Sequence, residues 1–524
     1  MFGSSPIDKK SFIGGNSSIS RLRLLLIFFL IAAFPNPSSA DTSVNISIDS
    51  WVYPALEKLD SFGLIKSGLM NTRPFTRMEV ARLTGEAIVS ITEREPENDI
   101  DGLALYLLER LKREFRDELS ILEIIDDVKV KTFIKPIDEA KVKYHLLDGK
   151  HAVYNNDGIR YGDHNNASLE FSGRSKFFDI ISLYYQPILK YNQELDGEDK
   201  TELDLIKGYV KLNLGNIEFE IGRDSLWWGP GHHGSLLMTN NAEPFDMVKI
   251  SNPRSILLPW IFRYLGPFKI TWFITKLEKE RIVPEPYLSG LRLNFKPLPV
   301  LELGASRVVM MGGEGRSGLD FNDILKIITG ENTSRVEEDT SNQIASIDFS
   351  VKLGFLGNTE MYGEWGGEDE ANALPTKIGY LIGIYVPGIT HDGRFDLRAE
   401  YANNHVERYP DVWYSHSVYS TGYTYRGSII GHHMGSDTED IFIRITNHLT
   451  YDLKAGMDFD FEKRGKSNPS PEEHFQFGID LSYNITDMIE FKGRYGFEKV
   501  NNYNFIHGVD KDYHFLGTEL AIKF

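Results

Sequence analysis

A chain of 524 residues with no cysteine has no disulfide framework, no thiolate nucleophile and no Cys-based metal site. Its net charge of −18 argues against nucleic acid as a partner. A mean hydropathy of −0.28 argues against a helical membrane protein, whereas 32 Phe, 25 Tyr and 46 Gly suit many strands joined by turns, including membrane strands that are apolar on one face only.

Residues 1–40 read as a secretory signal peptide. Arg21 and Arg23 give the positive region, Leu24 to Phe34 the apolar stretch, and Ser38-Ser39-Ala40 a small-residue cleavage site before Asp41. An anchoring helix is the competing reading, but this apolar stretch is too short to span a bilayer. The segment carries a net charge of +3, so its removal takes the chain from −18 to −21. No later segment approaches the apolar length of a transmembrane helix.

Residues 41–126 are expected to form a small helical domain. Val52, Leu56 and Leu59 share one face of a short helix ending near Gly63. Thr76 followed by Glu79 makes a capping box that opens a second helix through Val80, Leu83, Ala87 and Ile88. A third helix carries Leu105, Leu108, Leu111, Phe115, Leu119 and Leu122. Three amphipathic helices can bury one another's apolar stripes. The wording around Tyr53-Pro54-Ala55-Leu56 and Arg73-Pro74-Phe75-Thr76-Arg77 resembles a surface-layer-homology module.

From about Val128 the hydrophobic period changes to two, and residues 127–524 are read as an antiparallel β-barrel. Phe475, Phe477, Ile479, Leu481, Tyr483 and Ile485 alternate with polar residues, as do Phe395 to Tyr401, Met457 to Phe461 and Ile217 to Ile221. A soluble sandwich gives the same local pattern, so three further signs matter. The polar face repeatedly carries charge, as a hydrated lumen permits. Short turns (Gly215-Asn216, Gly357-Asn358, Thr486-Asp487) contrast with long loops expected at 187–202, 224–256, 310–342 and 402–439. The chain ends Leu520, Ile522, Phe524 in alternation, resembling the outer-membrane signature read by the barrel-insertion machinery. A bilayer demands that every backbone polar group find a partner, which a closed sheet supplies. The length of this region suggests on the order of 16–20 strands, and the barrel reading with its terminal signature implies outer-membrane lipid around them and localisation to the outer membrane.

The most informative segment is Arg223-Asp224-Ser225-Leu226-Trp227-Trp228-Gly229-Pro230-Gly231, continuing through Ser235 to Asn240-Asn241-Ala242. Indole rings stack on the apolar faces of sugars, while Asn and Arg hydrogen-bond hydroxyls and carboxylates. The competing reading packs the tryptophans inside a folded loop and gives the asparagines to its turns. Arg223 would then pair with Glu218, Glu220 or another inward carboxylate. Arg254 and Arg263 near Trp260, together with Arg426, are further candidates for contact with an anionic polymer. Each also has an ordinary role as a lumen or rim residue.

His232-His233 and His432-His433, with Asp437, Glu439 and Asp440 nearby, raise a metal or acid–base reading. Adjacent residues on a strand point to opposite faces, so a paired His is a poor bidentate site, and Asp437 to Asp440 reads as a solvated loop. No His-Glu-x-x-His, Gly-x-Ser-x-Gly or calcium-loop spacing is present. No catalytic residue, metal or cofactor is therefore expected. Glu364, Trp365, Glu368 and Asp369 read as a barrel rim or loop.

The order Arg, Trp-Gly-Pro-Gly, then a Ser-Leu run ending Asn-Asn-Ala resembles the Wzi capsule-assembly family of outer-membrane proteins. Tyr423-Thr424-Tyr425-Arg426-Gly427-Ser428-Ile429-Ile430-Gly431-His432, followed by Gly435 and Asp437, is a second match. The resemblance implies an 18-stranded barrel with a helical bundle at its periplasmic mouth. It also implies a non-enzymatic, lectin-like surface that attaches capsular or extracellular polysaccharide to the cell. Under that reading Arg223, Trp227, Trp228, Asn240, Asn241, Arg254, Trp260, Arg263 and Arg426 are the polysaccharide-binding candidates. A carbohydrate-permitting porin is the alternative, and an outer-membrane hydrolase is disfavoured.

Overall fold

The computed structural model describes residues 41–93, 100–129, 131–149, 151, 153–316, 341–371, 374–390, 392–410 and 412–524. The leader expected at 1–40 and most of the loop expected at 310–342 lie outside them.

Among the described residues four helices precede the barrel: α1 (Val52–Ser61), α2 (Arg77–Thr92), α3 (Ile100–Glu114) and α4 (Arg116–Ile121). Their shared core holds Val52, Leu56, Leu59, Val80, Leu83, Ala87, Leu108, Leu111, Phe115 and Leu119. Thr76 caps α2, accepting from Glu79 N–H at 3.1 Å. The Glu79 carboxylate does not complete the box; it turns to Arg82 instead. The expected third helix is two helices. The backbone leaves helical geometry at Phe115, whose buried ring sits beneath the Arg77 guanidinium, and beyond the kink Glu118 meets Arg77 and Arg174. Leu105 faces outward, and Leu103 and Leu107 take the inward positions.

Beyond the helices the described residues build a barrel of 18 antiparallel strands: β1 (Phe133–Asp148), β2 (His164–Phe177), β3 (Ile181–Leu195), β4 (Glu198–Leu214), β5 (Ile217–Asp224), β6 (Phe245–Ser251), β7 (Pro267–Lys276), β8 (Tyr287–Leu298), β9 (Leu301–Met311), β10 (Ser341–Leu353), β11 (Thr359–Ala371), β12 (Leu374–Val386), β13 (Phe395–Asn403), β14 (Glu439–His448), β15 (Leu453–Arg464), β16 (Glu472–Asn484), β17 (Ile489–Asn501) and β18 (Lys511–Lys523). Each pairs with its sequence neighbours, and β1 closes on β18 from Glu139↔Lys523 to Asp148↔His514. Closure removes the free edges an open sheet would present. The apolar series of the strands faces outward: Val142, Leu169, Leu189, Ile221, Ile347, Ile441 and Leu481 are exposed around the barrel, a lipid-facing belt. Charged residues fill the inner face, among them Lys211, Glu220, Lys249, Arg292, Asp348 and Glu462, all buried. Among the described residues no helix is long and apolar enough to cross a membrane.

One loop expectation fails. Residues 187–202 form the tops of β3 and β4, joined by a tight turn in which Asp196 and Gly197 both have positive φ. Asp-Gly is among the residue pairs such a hairpin turn favours. Pro187, where the strand register shifts, masked the alternation. The 224–256 loop also contains β6.

The helices close the short-turn end. Tyr106 donates to Asp452 at 2.8 Å, Arg113 pairs with Asp487 at 2.8 Å and Lys523 with Glu114 at 2.5 Å. From this domain residues 68–73 rise into the lumen. Met70 and Asn71 N–H both donate to Glu302 at 2.9 Å, and Arg292 spends its donors on Asp348, Ser306, Thr72 and the Asn71 carbonyl.

Candidate functional site

Both sequence motifs fold inward from the long-loop end and form one body. The 225–244 segment opens with Trp227–Trp228, which pairs antiparallel with Thr72–Arg73 of the rising segment. Gly229 N–H donates to the Asn71 carbonyl at 2.9 Å. The 404–438 segment then locks onto it: Thr239 N–H donates to Ile430 O at 2.9 Å, Tyr414 Oη to Leu236 O at 2.6 Å and Tyr423 Oη to Leu237 O at 2.8 Å. Arg281, from the β7–β8 loop, donates to the Thr424 and Gly422 carbonyls, each at 2.6 Å. The result is a second apolar core inside the barrel, containing Trp228, Leu236, Leu237, Met238, Phe273, Trp413, Tyr414 and Tyr423.

Carboxylates on the wall hold the backbone of this body. Glu364 accepts from Leu236 N–H and Ser235 Oγ, both at 2.9 Å; Glu400 accepts from His232 and His233 N–H at 2.6 and 2.9 Å; Glu368 accepts from Tyr414 N–H at 2.6 Å. Glu364 and Glu368, expected at a rim or loop, are therefore buried lumen residues on β11. Trp365 points outward and stacks on Phe349 at 5.5 Å. The side chain of Asp369 lies outside the described residues.

The sequence candidates separate into three places. Trp228 is 0% exposed and packs edge-on against Phe273 at 5.4 Å; Trp227 is 3% exposed and lines an internal cavity of about 550 Å³ with His232, Asn155, Asn240 and Arg494. Asn240 donates to the Asn155 carbonyl at 3.0 Å, and Asn241 to the Ile429 carbonyl at 3.1 Å. Within the loop body, then, Trp228 belongs to the apolar core, the two asparagines bond backbone carbonyls, and Trp227 stands at the cavity wall.

Arg223 and Arg426 meet at the long-loop rim. Arg223 lies on the outer face of β5, away from Glu218 and Glu220, and grips Asp246 with two bonds of 2.8 and 2.9 Å. The carboxylate partner expected inside is thus outside, because Gly222 occupies the inward position and Arg223 the next one out. Arg426 tops a two-residue hairpin turn, pairs with Glu243 at 2.6 Å and covers the Tyr425 ring at 5.4 Å. Burial alone would lower the pKa of this guanidinium; Tyr425 and Glu243 outweigh it, and the net shift is upward.

Arg254, Trp260 and Arg263 lie at the opposite end, on the β6–β7 connection. Arg254 reaches Asp41 at 3.8 Å and its backbone meets Asn216 of a short turn; Trp260 is 76% exposed on a 3₁₀ turn that also carries Arg263. The fold does not bring them to Arg426. Spacing along the chain gave no sign of this, since their side of the barrel depends on the short strand β6 inside an expected loop.

The two histidine pairs converge. Asp437 and Asp440, expected in a solvated loop, are 3% and 2% exposed: Asp437 accepts from Ser467 N–H at 2.8 Å and Asp440 faces inward from β14 toward His432 and His433. Burial drives the pKa values of His432 and His433 well down.

Comparison with known proteins places this architecture. The sequence profile of the family described as Capsule assembly protein Wzi matches residues 137–514. An uncharacterized 55.8 kDa protein in the cps region of Klebsiella pneumoniae is 29% identical over 223 residues; the alignment covers 42% of this chain and 43% of that relative, less than half its length. The solved structure of Wzi from Escherichia coli, described as an outer-membrane protein involved in group 1 capsule assembly and a carbohydrate-binding β-barrel, superposes with a TM-score of 0.72 at 20% identity, covering 92% of this chain and 99% of that one.

Proposed function

The chain belongs to the capsule assembly protein Wzi family and is an outer-membrane β-barrel, and we infer that it binds capsular or extracellular polysaccharide at its long-loop face. It then attaches the polymer to the cell surface without chemical turnover. The observation that carries this reading is the folded roof. Loops 225–244 and 404–438 form a packed body inside the barrel, bonded to its wall and to the N-terminal segment, rather than a fringe around an open pore. Such a body presents a preorganised surface, which lowers the ordering cost of binding a long polymer.

At that surface we place Arg426 over Tyr425, with Arg223 beside it, as the polymer-contacting set. A guanidinium donates paired hydrogen bonds to a carboxylate or to adjacent hydroxyls. Trp227, Trp228, Asn240 and Asn241 position the loops beneath. The acid-rich chain repels a polyanion only within about 8–10 Å at physiological salt, so a local pair of arginines can prevail.

The test is binding of purified protein to polysaccharide from the encapsulated cells, with dextran as control, beside a strain lacking the gene. Selective binding, and release of polymer into the medium by the mutant, are expected. Capsule retained on mutant cells would refute the attachment role. Steady single-channel currents of porin size in a planar bilayer would favour the carbohydrate-permitting porin instead.

A further inference from the structure

Two loops and two neighbouring strands bring their donor atoms to one buried point. His233 comes from the first motif, His433 and His432 from the second, Asp440 from β14, and Asp460 and Glu462 from β15. His233 Nε2 is 3.2 Å from Asp460 Oδ2 and 4.0 Å from Asp440 Oδ2; His433 Nε2 is 3.0 Å from Glu462 Oε1 and 3.6 Å from Asp440 Oδ2. His432 Nε2 is 3.9 Å from the same Asp440 oxygen.

These separations match a coordination sphere. An ion bound at about 2.0–2.2 Å by imidazole nitrogen and carboxylate oxygen holds its donors about 3.4 Å apart when tetrahedral and about 3–4 Å apart when five-coordinate. The donor atoms also lack ordinary partners. His233 Nε2, both ring nitrogens of His433, Asp440 Oδ2, both Asp460 oxygens and Glu462 Oε1 are buried without a hydrogen bond. His433 and Glu462 have fully buried side chains, and Asp440 and Asp460 are 3% and 2% exposed at theirs. Buried polar atoms are costly without a partner, and several of them aimed at one point share the need for a single one.

Charge points the same way. Among the described residues no lysine or arginine pairs with Asp440 or Asp460, and Arg464 pairs with the other Glu462 oxygen. Three clustered carboxylates leave negative charge that a divalent cation neutralises. The rings are held in place: His233 stacks on Phe442 at 4.0 Å, and Tyr154 on His433 at 3.9 Å.

We propose that His233, His433, Asp440, Asp460 and Glu462 bind one divalent first-row transition-metal ion. Two imidazoles in the set favour zinc or a similar borderline ion over calcium or magnesium, which take oxygen ligands. With its donors drawn from both loops and the wall, the ion is a buried cross-link that fixes the roof. Neither histidine pair chelates alone; the site takes one member of each. The assignment stands apart from the polysaccharide reading, since a barrel with any surface role could use such a clasp.

The experiment uses full-length protein without a histidine tag, stripped with chelator, dialysed against zinc chloride and freed of excess. Elemental analysis should find one zinc per chain. His433→Ala and Asp460→Asn should each lower zinc affinity by about tenfold or more, in protein whose folded barrel is verified by heat-modifiable gel mobility. Wild-type crystals soaked in zinc should give an anomalous peak between His233, His433 and Asp460, a readout that does not depend on any variant. Substoichiometric zinc in the wild type, unchanged zinc in both variants, or an anomalous peak elsewhere overturns the assignment. Loss of cell-bound capsule with zinc content intact would bear on the polymer reading alone.

Discussion

Arg292→Ala should release the N-terminal segment from the barrel wall. The guanidinium is 1% exposed and uses five hydrogen bonds: Asp348 at 2.7 and 3.1 Å, Ser306 at 2.7 Å, Thr72 at 2.6 Å and the Asn71 carbonyl at 2.9 Å. That is the full donor complement of an arginine. Truncation orphans Asp348, whose side chain is fully buried, leaving it the Asn71 amide at 3.3 Å. Breaking a buried pair from one side costs about 3–5 kcal/mol. The barrel hydrogen bonds are untouched, so the loss falls on residues 68–73 and on the Trp227–Trp228 strand paired with them. At about 1.4 kcal/mol per factor of ten, the amides of Asn71 and Gly229 should exchange with solvent deuterium about two to three and a half decades faster. Amide exchange followed by mass spectrometry reads this directly. Arg292→Ala with Asp348→Asn removes the orphaned charge and should recover part of the protection. Unchanged exchange at Asn71 and Gly229 in the single variant would refute the idea that this pair anchors the segment.

Trp228→Ala should weaken the loop body by about 3–5 kcal/mol, the range for deleting a fully buried large aromatic, and expose 225–244 to limited proteolysis. Trp227→Ala, at the cavity wall, should affect proteolysis less; equal sensitivity of the two would show that Trp227 is equally integral to the packing. Arg426→Ala should weaken polysaccharide binding about tenfold, from loss of a charge-assisted hydrogen bond of about 1.5 kcal/mol, with loop proteolysis unchanged. Undiminished binding would move the contact set elsewhere on the rim. Burial raises the pKa of Glu118, and the Arg77 and Arg174 guanidiniums more than offset that, leaving it below the ordinary carboxylate range. A depressed folded-state pKa contributes stability that is complete above the unfolded value of about 4.3 and is lost as pH falls through the folded one. Helices α2–α4 should thus gain proteolytic sensitivity on acidification in that range, and Glu118→Gln should remove most of this pH dependence; an identical profile in the variant would assign the transition to other groups.

Periodicity alone laid out the layers of this molecule. Side chains of a strand alternate and those of a helix recur at three and four, so the change of period near Val128 marked the passage from helices to barrel, and the outward apolar series stands where alternation put it. The long Trp-Gly-Pro-Gly motif pointed to the family. Which residues share a place was a matter for the folded chain. Loops carry no period that reports direction, and a single short strand, β6, sends Arg254, Trp260 and Arg263 to one end of the barrel while Arg223 and Arg426 meet at the other. One inward-facing glycine moves Arg223 to the outer wall, because a strand reverses face with every residue. His233 and His433 are 200 residues apart in the numbering yet 4.4 Å apart as rings, joined through a roof whose contacts arise from packing and leave no local pattern to read.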